Sequence, residues 1–216
     1  MTNSNSLLIF DFDGVIADSF DAVFKITQLQ SPETTREQYA AKFKGNINKT
    51  NPVGKDGHQF DFFSHWEPLV KKQGVFTGMP EAINQLAKSL PLAIVSSTTT
   101  KPIKEFLQTH KLYDFFTHIL GNDVAHSKVI KINMLLKKTN TKPTAAIMIT
   151  DTLGDLKEAR QTGIHTIAVT WGFHDKTTLA KGNPTAIIDH PHQLPPQINK
   201  ILKLNNSHQH NQACIF

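Results

Sequence analysis

The chain has 216 residues, of which 39% are hydrophobic and 19% charged, with a formal net charge of +5 and a pI near 9.2. This length suits one core domain with a modest insertion, and the composition excludes a wholly disordered chain. The lysines are scattered and form no arginine-rich run or alternation with aromatic residues. We therefore expect no nucleic-acid partner, despite the basic balance.

The cysteine content and the terminal sequences indicate the cellular compartment in which the protein is expected. Cys214 is the single cysteine, so an intramolecular disulfide is excluded, in agreement with a reducing compartment. The first residues have no basic region followed by a long apolar run, which predicts no signal peptide. No segment approaches the roughly 18 apolar residues of a membrane span. We expect a cytoplasmic protein without a membrane partner.

Apolar runs bounded by turn residues predict six buried strands. Helical patterns lie between the later strands, for example over 80–90 and 129–136. This alternation predicts an α/β fold with a doubly wound (Rossmann-like) parallel sheet, in which sites form at the carboxyl ends of the strands. The predicted strands span 7–10, 92–95, 118–120, 145–149, 166–169 and 186–188.

One interval breaks this alternation. Between 18 and 76 no buried strand is predicted, whereas Phe20, Val23 and Phe24 and the stretch 60–70 indicate amphipathic helices around a loop at 43–59. We interpret 18–76 as a small α-helical cap inserted after the first strand, and 1–17 with 77–204 as the core. The polar, Asn- and His-rich segment 205–216 is predicted to be a flexible tail.

Polar residues follow several of the predicted strands and should meet in one crevice. Two carboxylates two residues apart in an extended segment point to the same side and repel each other unless a proton or a cation lies between them. Several carboxylates at adjacent strand ends predict a hard divalent cation, with Mg²⁺ the natural candidate. These residues are Asp11 and Asp13, Ser96 and Ser97, and Asp151 with Asp155.

A phosphate would suit this crevice, because hydroxyl groups and a cation lie near it. Ser96 offers a donor hydroxyl and Lys128 a positive charge. Lys131 is a rival for the same role. Lys128 is preferred because it opens the predicted helix, nearer the strand ends.

Four ordered motifs resemble those of the haloacid dehalogenase (HAD) superfamily. They are "LLIFDFDGV" from residue 7, "LAIVSS" from residue 92, a lysine at 128 and "IMITDTLGDLKEA" ending at 159. The stretch "TIAVTWGF" at 166–173 further resembles the phosphoglycolate-phosphatase-like branch. Two positions depart from the usual pattern: Thr150 replaces a glycine, and Ser97 stands where asparagine is frequent.

The resemblance implies a role for each matching residue. Asp11 would be the nucleophile, and Asp13 the general acid and base that protonates the leaving alcohol and then activates water. Ser96, Ser97 and Lys128 would bind phosphate, and Mg²⁺ would be held by Asp11, Asp13, Asp151 and Asp155. Lys44, Gly45 and Asn46 of the cap resemble the specificity loop.

The implied activity is a Mg²⁺-dependent phosphatase that acts on a small phosphorylated metabolite, through an aspartyl-phosphate, as a monomer or homodimer. A phosphomutase and a non-catalytic, receiver-like phospho-switch remain alternatives. A phosphonatase-like Schiff base would need a cap lysine at 44, 49 or 55.

Overall fold

The computed structural model describes residues 6–47 and 61–213, with side chains up to residue 203. Its strands are β1 (Leu7–Phe10), β2 (Ala17–Asp18), β3 (Gly74–Val75), β4 (Leu92–Val95), β5 (Phe116–Leu120), β6 (Ala146–Thr150), β7 (His165–Val169) and β8 (Ala186–Ile188). Its helices are α1 (Phe20–Gln30), α2 (Arg36–Ala41), α3 (Phe62–Val70), α4 (Met79–Ala87), α5 (Thr100–Thr109), α6 (Lys128–Thr139), α7 (Leu153–Gln161), α8 (Lys176–Ala180) and α9 (Leu194–Ala213).

The core is a six-stranded sheet in the order β5-β4-β1-β6-β7-β8, and every neighbouring pair is parallel. The central strands β1, β4 and β6 are buried along their whole length. Strands buried on both faces read as continuous apolar runs, which explains why the sequence located them well. The predicted fold class is confirmed.

Alternate residues of each central strand belong to two different hydrophobic clusters. Leu8 and Phe10 pack in one cluster with residues of α4, α5 and α9, whereas Leu7 and Ile9 pack in the other with residues of α6 and α7. This alternation is the period-two geometry of an extended chain. Helices on both faces leave the carboxyl ends of the strands as the place for a site.

The cap joins the core through a short two-stranded ribbon that the sequence did not reveal. β2 pairs antiparallel with β3, Ala17 opposite Val75 and Asp18 opposite Gly74. Strands of two residues are too short to produce a detectable period. α1, α2 and α3 lie between the two ribbon strands along the chain.

Aromatic rings fix the cap against the core. Phe173, which follows β7, has its ring centroid 4.9 Å from that of Phe20 and 4.9 Å from that of Phe43, both in edge-to-face geometry. Tyr39 of α2 packs edge-to-face on Phe43 at 5.3 Å. Such pairs contribute about 0.5–1.5 kcal/mol each beyond their buried area.

The last helix, α9, extends into the segment 205–216, and the flexibility of that segment stays a prediction. α9 continues through residue 205 as far as Ala213. Polar residues without an apolar stripe give no periodic signal for a helix. None of the described helices combines the length and the apolarity that a membrane crossing requires.

Candidate active site

Three of the predicted carboxylates meet at the carboxyl end of the sheet. One oxygen from each of Asp11, Asp151 and Asp155 lies within 4.8 Å of the others. Asp11 follows β1 directly, and its backbone N–H donates to Ile149 O at 2.9 Å, which extends the β1–β6 ladder by one residue. Asp155 lies in the first turn of α7, where Thr152 caps the helix and accepts from the Asp155 N–H. The topology therefore gathers residues that lie up to 144 positions apart.

Lys128 is the cation of this cluster. Its Nζ lies 2.7 Å from Asp11 Oδ2 and 2.8 Å from Asp155 Oδ2, and its side chain is only 4% exposed. Burial disfavours the charged lysine, but Asp11 and Asp155 outweigh it and raise the lysine pKa. Burial likewise opposes ionisation of Asp155, yet Lys128 and hydrogen bonds lower the Asp155 pKa to about 2.

Lys131 occupies a different position from Lys128. Its buried Nζ donates to the backbone carbonyls of Ser96 and Gly121, which follow β4 and β5. Burial and the nearby Lys128 charge lower the pKa of Lys131 to about 8. Lys131 thus links the loops that follow β4 and β5 by hydrogen bonds, whereas Lys128 contacts the carboxylates of Asp11 and Asp155.

Two glycines press against the Asp151 carboxylate. A Cβ at Gly14, which has φ +74°, would lie 2.0 Å from Asp151 Oδ2, and one at Gly172 would lie 2.2 Å from the same atom. The Phe173 N–H donates to Oδ2 at 2.7 Å. A side chain at Gly14 would therefore strike the Asp151 carboxylate.

The cluster fits a divalent cation. Asp151 Oδ1 is buried and has no hydrogen-bond partner among the described residues. Burial raises the pKa of Asp11 well above its usual range and that of Asp151 to about 7. Three carboxylates face one ammonium, so full ionisation leaves two negative charges for a cation to neutralise. Carboxylate oxygens are the ligands that Mg²⁺ prefers.

Asp13 lies outside this cluster, although the sequence placed it among the metal ligands as well as in catalysis. Its Oδ2 accepts from the Thr98 hydroxyl at 2.7 Å, while Oδ1 is buried without a partner among the described residues. Burial raises the pKa of Asp13 above its ordinary value; Thr98 and the nearby Ser19 hydroxyl oppose the shift. Its carboxyl group is thus set apart from the candidate metal ligands.

The two predicted phosphate serines occupy the turn after β4. Ser96 Oγ is buried and accepts from the Thr98 N–H at 2.9 Å, which leaves the serine proton free to be donated. Ser97 beside it is half-buried. Thr98 itself was not singled out in the sequence, because its partner Asp13 lies 85 residues earlier and no local pattern links them.

Thr150 stands next to the cluster. Its hydroxyl donates to Asp155 Oδ2 at 2.9 Å and lies 3.5 Å from Asp11 Oδ2. The sequence marked this threonine only as a departure from the HAD pattern. The structure gives it a definite place, as a neutral donor among carboxylates.

The cap loop meets α7 directly. Gly154 has its α-carbon so close to the loop that an added Cβ would lie 2.3 Å from Gly45 O. Asn46 Nδ2 donates to Glu158 Oε1 at 3.1 Å, and the exposed Lys44 offers its carbonyl to Lys157 Nζ at 3.0 Å. The three predicted specificity residues therefore border the Asp155 helix. Residues 49 and 55 lie outside the described residues.

Buried carboxylates and a buried lysine at the strand ends of an α/β sheet, beside a capping insertion, suit a hydrolytic or phosphoryl-transfer enzyme. A sequence-family model described as Haloacid dehalogenase-like hydrolase matches residues 8–169. The chain belongs to this family, and its predicted membership is confirmed.

Individual relatives agree with this membership. The chain is 26% identical over 213 residues to a phosphoglycolate phosphatase of Synechococcus elongatus, an alignment that covers 91% of this chain and 98% of the relative. It is 28% identical to the probable phosphatase IndB of Dickeya dadantii, over 93% of this chain and 96% of that protein.

Solved structures show the same fold. A haloacid dehalogenase-like family hydrolase from Streptococcus pneumoniae superimposes with a TM-score of 0.71 at 23% identity, covering 88% of this chain and 97% of that one. A predicted phosphoglycolate phosphatase from Haemophilus somnus gives 0.72 at 18% identity, over 89% and 97% of the two chains.

Proposed function

We propose that the chain is a Mg²⁺-dependent phosphatase that hydrolyses a small phosphate monoester through an aspartyl-phosphate on Asp11. One observation carries this proposal: Asp11 shares a buried cluster with Asp151, Asp155 and Lys128, while the second carboxyl group, Asp13, is held apart by Thr98. A nucleophile and a proton donor need such different surroundings.

Each residue of the cluster has a distinct part in the proposed reaction. Asp11, Asp151 and Asp155 would hold the metal, which when bound neutralises carboxylate and phosphate charge. Lys128, 2.7 Å from Asp11, is near enough to bind the oxygens of the phosphoryl group as it is transferred. Ser96 can donate its hydroxyl proton to the same group.

Asp13 alone can carry out both proton transfers of the proposed reaction. One carboxylate oxygen of Asp11 forms a bond to phosphorus as the bond to the leaving oxygen breaks, and Asp13 gives its proton to that oxygen. In the second step a water molecule attacks phosphorus, Asp13 takes the water's proton, and the Asp11–phosphorus bond breaks. The cycle returns both carboxyl groups to their starting states and releases alcohol and phosphate.

The relatives support a phosphatase over the alternatives. Those reported above are named phosphoglycolate phosphatase and probable phosphatase. Family membership over 8–169 disfavours a receiver-like switch. A phosphomutase uses the same first step, so it stays the second candidate. The cytoplasmic location and the state as monomer or homodimer stay predictions.

The test is phosphate release from a panel with and without Mg²⁺. The panel contains phosphoglycolate, sugar phosphates, nucleotides and p-nitrophenyl phosphate, and the Asp11→Asn variant serves as the blank. Repeated turnover that requires both Mg²⁺ and Asp11 is the expected result. Turnover in EDTA, or in the variant, would contradict the proposal. Conversion of one sugar phosphate isomer to another without phosphate release would favour the mutase.

Substrate choice is proposed to depend on the cap loop. Lys44 and Asn46 border α7, and the loop closes over the side of the crevice that carries Asp155. The Lys44→Ala and Asn46→Ala variants should each alter the ranking of kcat/KM across the panel. An unchanged ranking in both variants would show that specificity resides elsewhere.

A further inference from the structure

A hydrogen-bonded chain runs from the cap to Asp13. Trp66, in cap helix α3, is 1% exposed, and its Nε1 donates to Thr98 Oγ1 at 2.9 Å. Thr98 Oγ1 in turn lies 2.7 Å from Asp13 Oδ2. All three side chains are buried or nearly so, and they come from three separate segments of the chain.

The direction of this chain follows from the chemistry of the indole. An indole N–H can only donate, so Thr98 Oγ1 must accept from Trp66. The single hydroxyl proton of Thr98 is then available for Asp13 Oδ2. A threonine without that indole could turn its hydroxyl and accept from Asp13 instead. Trp66 thus decides which way the Thr98 hydroxyl points.

This direction determines which oxygen of Asp13 is engaged. Oδ2 accepts from Thr98, while Oδ1 is buried and has no hydrogen-bond partner among the described residues. An unpaired buried oxygen is costly unless a substrate group or water meets it. A carboxyl group that accepts at Oδ2 carries its transferable proton on Oδ1, the oxygen that has no hydrogen-bond partner among the described residues.

We propose that Trp66 is a positioning residue for Asp13, acting through Thr98, so that the cap orients the proton donor for the leaving group. This proposal rests on the proposed phosphatase function. Because α3 belongs to the cap, the chain Trp66–Thr98–Asp13 is complete only when the cap lies on the core as it does here. Closure of the cap then excludes water and also orients the Asp13 carboxyl group for proton transfer to the leaving group.

The test compares two substrates that differ in their need for a proton. The leaving group of an alkyl phosphate is a strongly basic alkoxide, which requires a proton from a general acid. The leaving group of p-nitrophenyl phosphate is p-nitrophenolate, which departs without that proton. In the Trp66→Phe variant, kcat/KM should fall about tenfold for the alkyl phosphate and should change little for p-nitrophenyl phosphate. A tenfold loss is a part of the rate enhancement of about 10²–10⁴-fold that a general acid supplies. The parameter kcat/KM is chosen because it reports on formation of the phosphoenzyme.

Trp171 supplies a matched control. Its Nε1 donates to the Val15 carbonyl at 3.2 Å, so Trp171→Phe removes an indole donor without touching the link to Asp13. This variant should affect both substrates equally. At Thr98, the near-isosteric valine should reproduce the selective loss and serine should restore it. Thermal unfolding verifies that each variant is folded.

The outcomes separate the two proposals. Equal losses on both substrates in Trp66→Phe, or no loss on either, would refute the positioning role while leaving a phosphatase in place. Failure of the unmodified protein to release phosphate from either substrate would refute the phosphatase function, and the role of Trp66 with it. A selective loss that serine at Thr98 does not restore would also overturn the proposed path.

Discussion

Replacement of Gly14 by alanine should damage the candidate metal site far more than the fold. The new Cβ would lie 2.0 Å from Asp151 Oδ2, whereas ordinary contact begins at 3.4 Å, so one group must move by more than 1 Å. The turn is held by the Gly14 N–H, which donates to Ala17 O at 2.9 Å. Asp151, at the end of a side chain, is the group that yields.

The expected magnitudes separate two effects. A left-handed φ costs a non-glycine residue about 1–2 kcal/mol, which lowers the melting temperature of a chain of this size by about 2–4 °C per kcal/mol. Misplacing one carboxylate should add a loss of Mg²⁺ affinity of about 10–100-fold. Gly78→Ala is the matched control, because Gly78 has φ +83° but its added Cβ would meet only Pro191 Cβ, at 3.7 Å.

The assay is titration calorimetry with Mg²⁺ alongside thermal unfolding in EDTA. Both variants should lose stability from the strained φ, and only Gly14→Ala should lose Mg²⁺ affinity. Equal Mg²⁺ affinity in the two variants would show that Asp151 is not a ligand, or that the turn and not the carboxylate gives way.

Three further outcomes follow from the same contacts. The Lys128→Met variant should lower kcat/KM about 10²–10³-fold, as expected for loss of a charge-stabilising donor. The Lys131→Met variant should chiefly lower thermal stability. A larger loss of kcat/KM in Lys131→Met than in Lys128→Met would exchange the roles of the two lysines. Burial raises the pKa of Asp151 from 3.8 to about 7, so between these pH values the folded protein binds a proton that the unfolded chain has lost. The contribution of Asp151 to stability in EDTA should therefore fall as the pH rises from 3.8 to about 7 and stay constant above 7. Saturating Mg²⁺ or Asp151→Asn should flatten this part of the profile, and a melting temperature independent of pH over this window would contradict the prediction. The Asn46→Ala variant removes the hydrogen bond from Asn46 Nδ2 to Glu158 Oε1 at 3.1 Å and the longer one to the His126 carbonyl at 3.5 Å. A loss of about 1 kcal/mol should raise KM about fivefold with kcat nearly unchanged, and an equal fall in kcat would argue against a role in binding alone.

The sequence predicts the sheet and the approximate location of the cluster because both depend on local patterns. Continuous apolar runs mark buried strands, and Asp11 and Asp151 come directly after two of them, β1 and β6. Parallel topology then forces their convergence. The sequence favours Lys128 over Lys131 only because Lys128 opens the helix. Both lie in the first turn of α6, and packing shows which Nζ reaches Asp11.

Contacts across the cap escape sequence reasoning for a physical reason. The Trp66–Thr98 hydrogen bond joins residues 32 positions apart, and the packing of Gly45 against Gly154 joins residues more than 100 apart. Neither contact repeats with a helical or strand period, so no window of sequence contains it. These contacts depend on where the cap rests, which only the folded chain determines.

The β2–β3 ribbon has a consequence for how such proteins can diversify. Because Asp18 and Gly74 are paired directly, the inserted segment leaves and re-enters the core at neighbouring points. A segment whose ends already meet can be lengthened, shortened or exchanged without changing the span that the core must accommodate, as with domain insertions that succeed where chain ends lie close together. Grafting a foreign insertion between these two residues should therefore yield a folded chimera that keeps Asp11, Asp151 and Asp155 in place while presenting a new surface to the substrate.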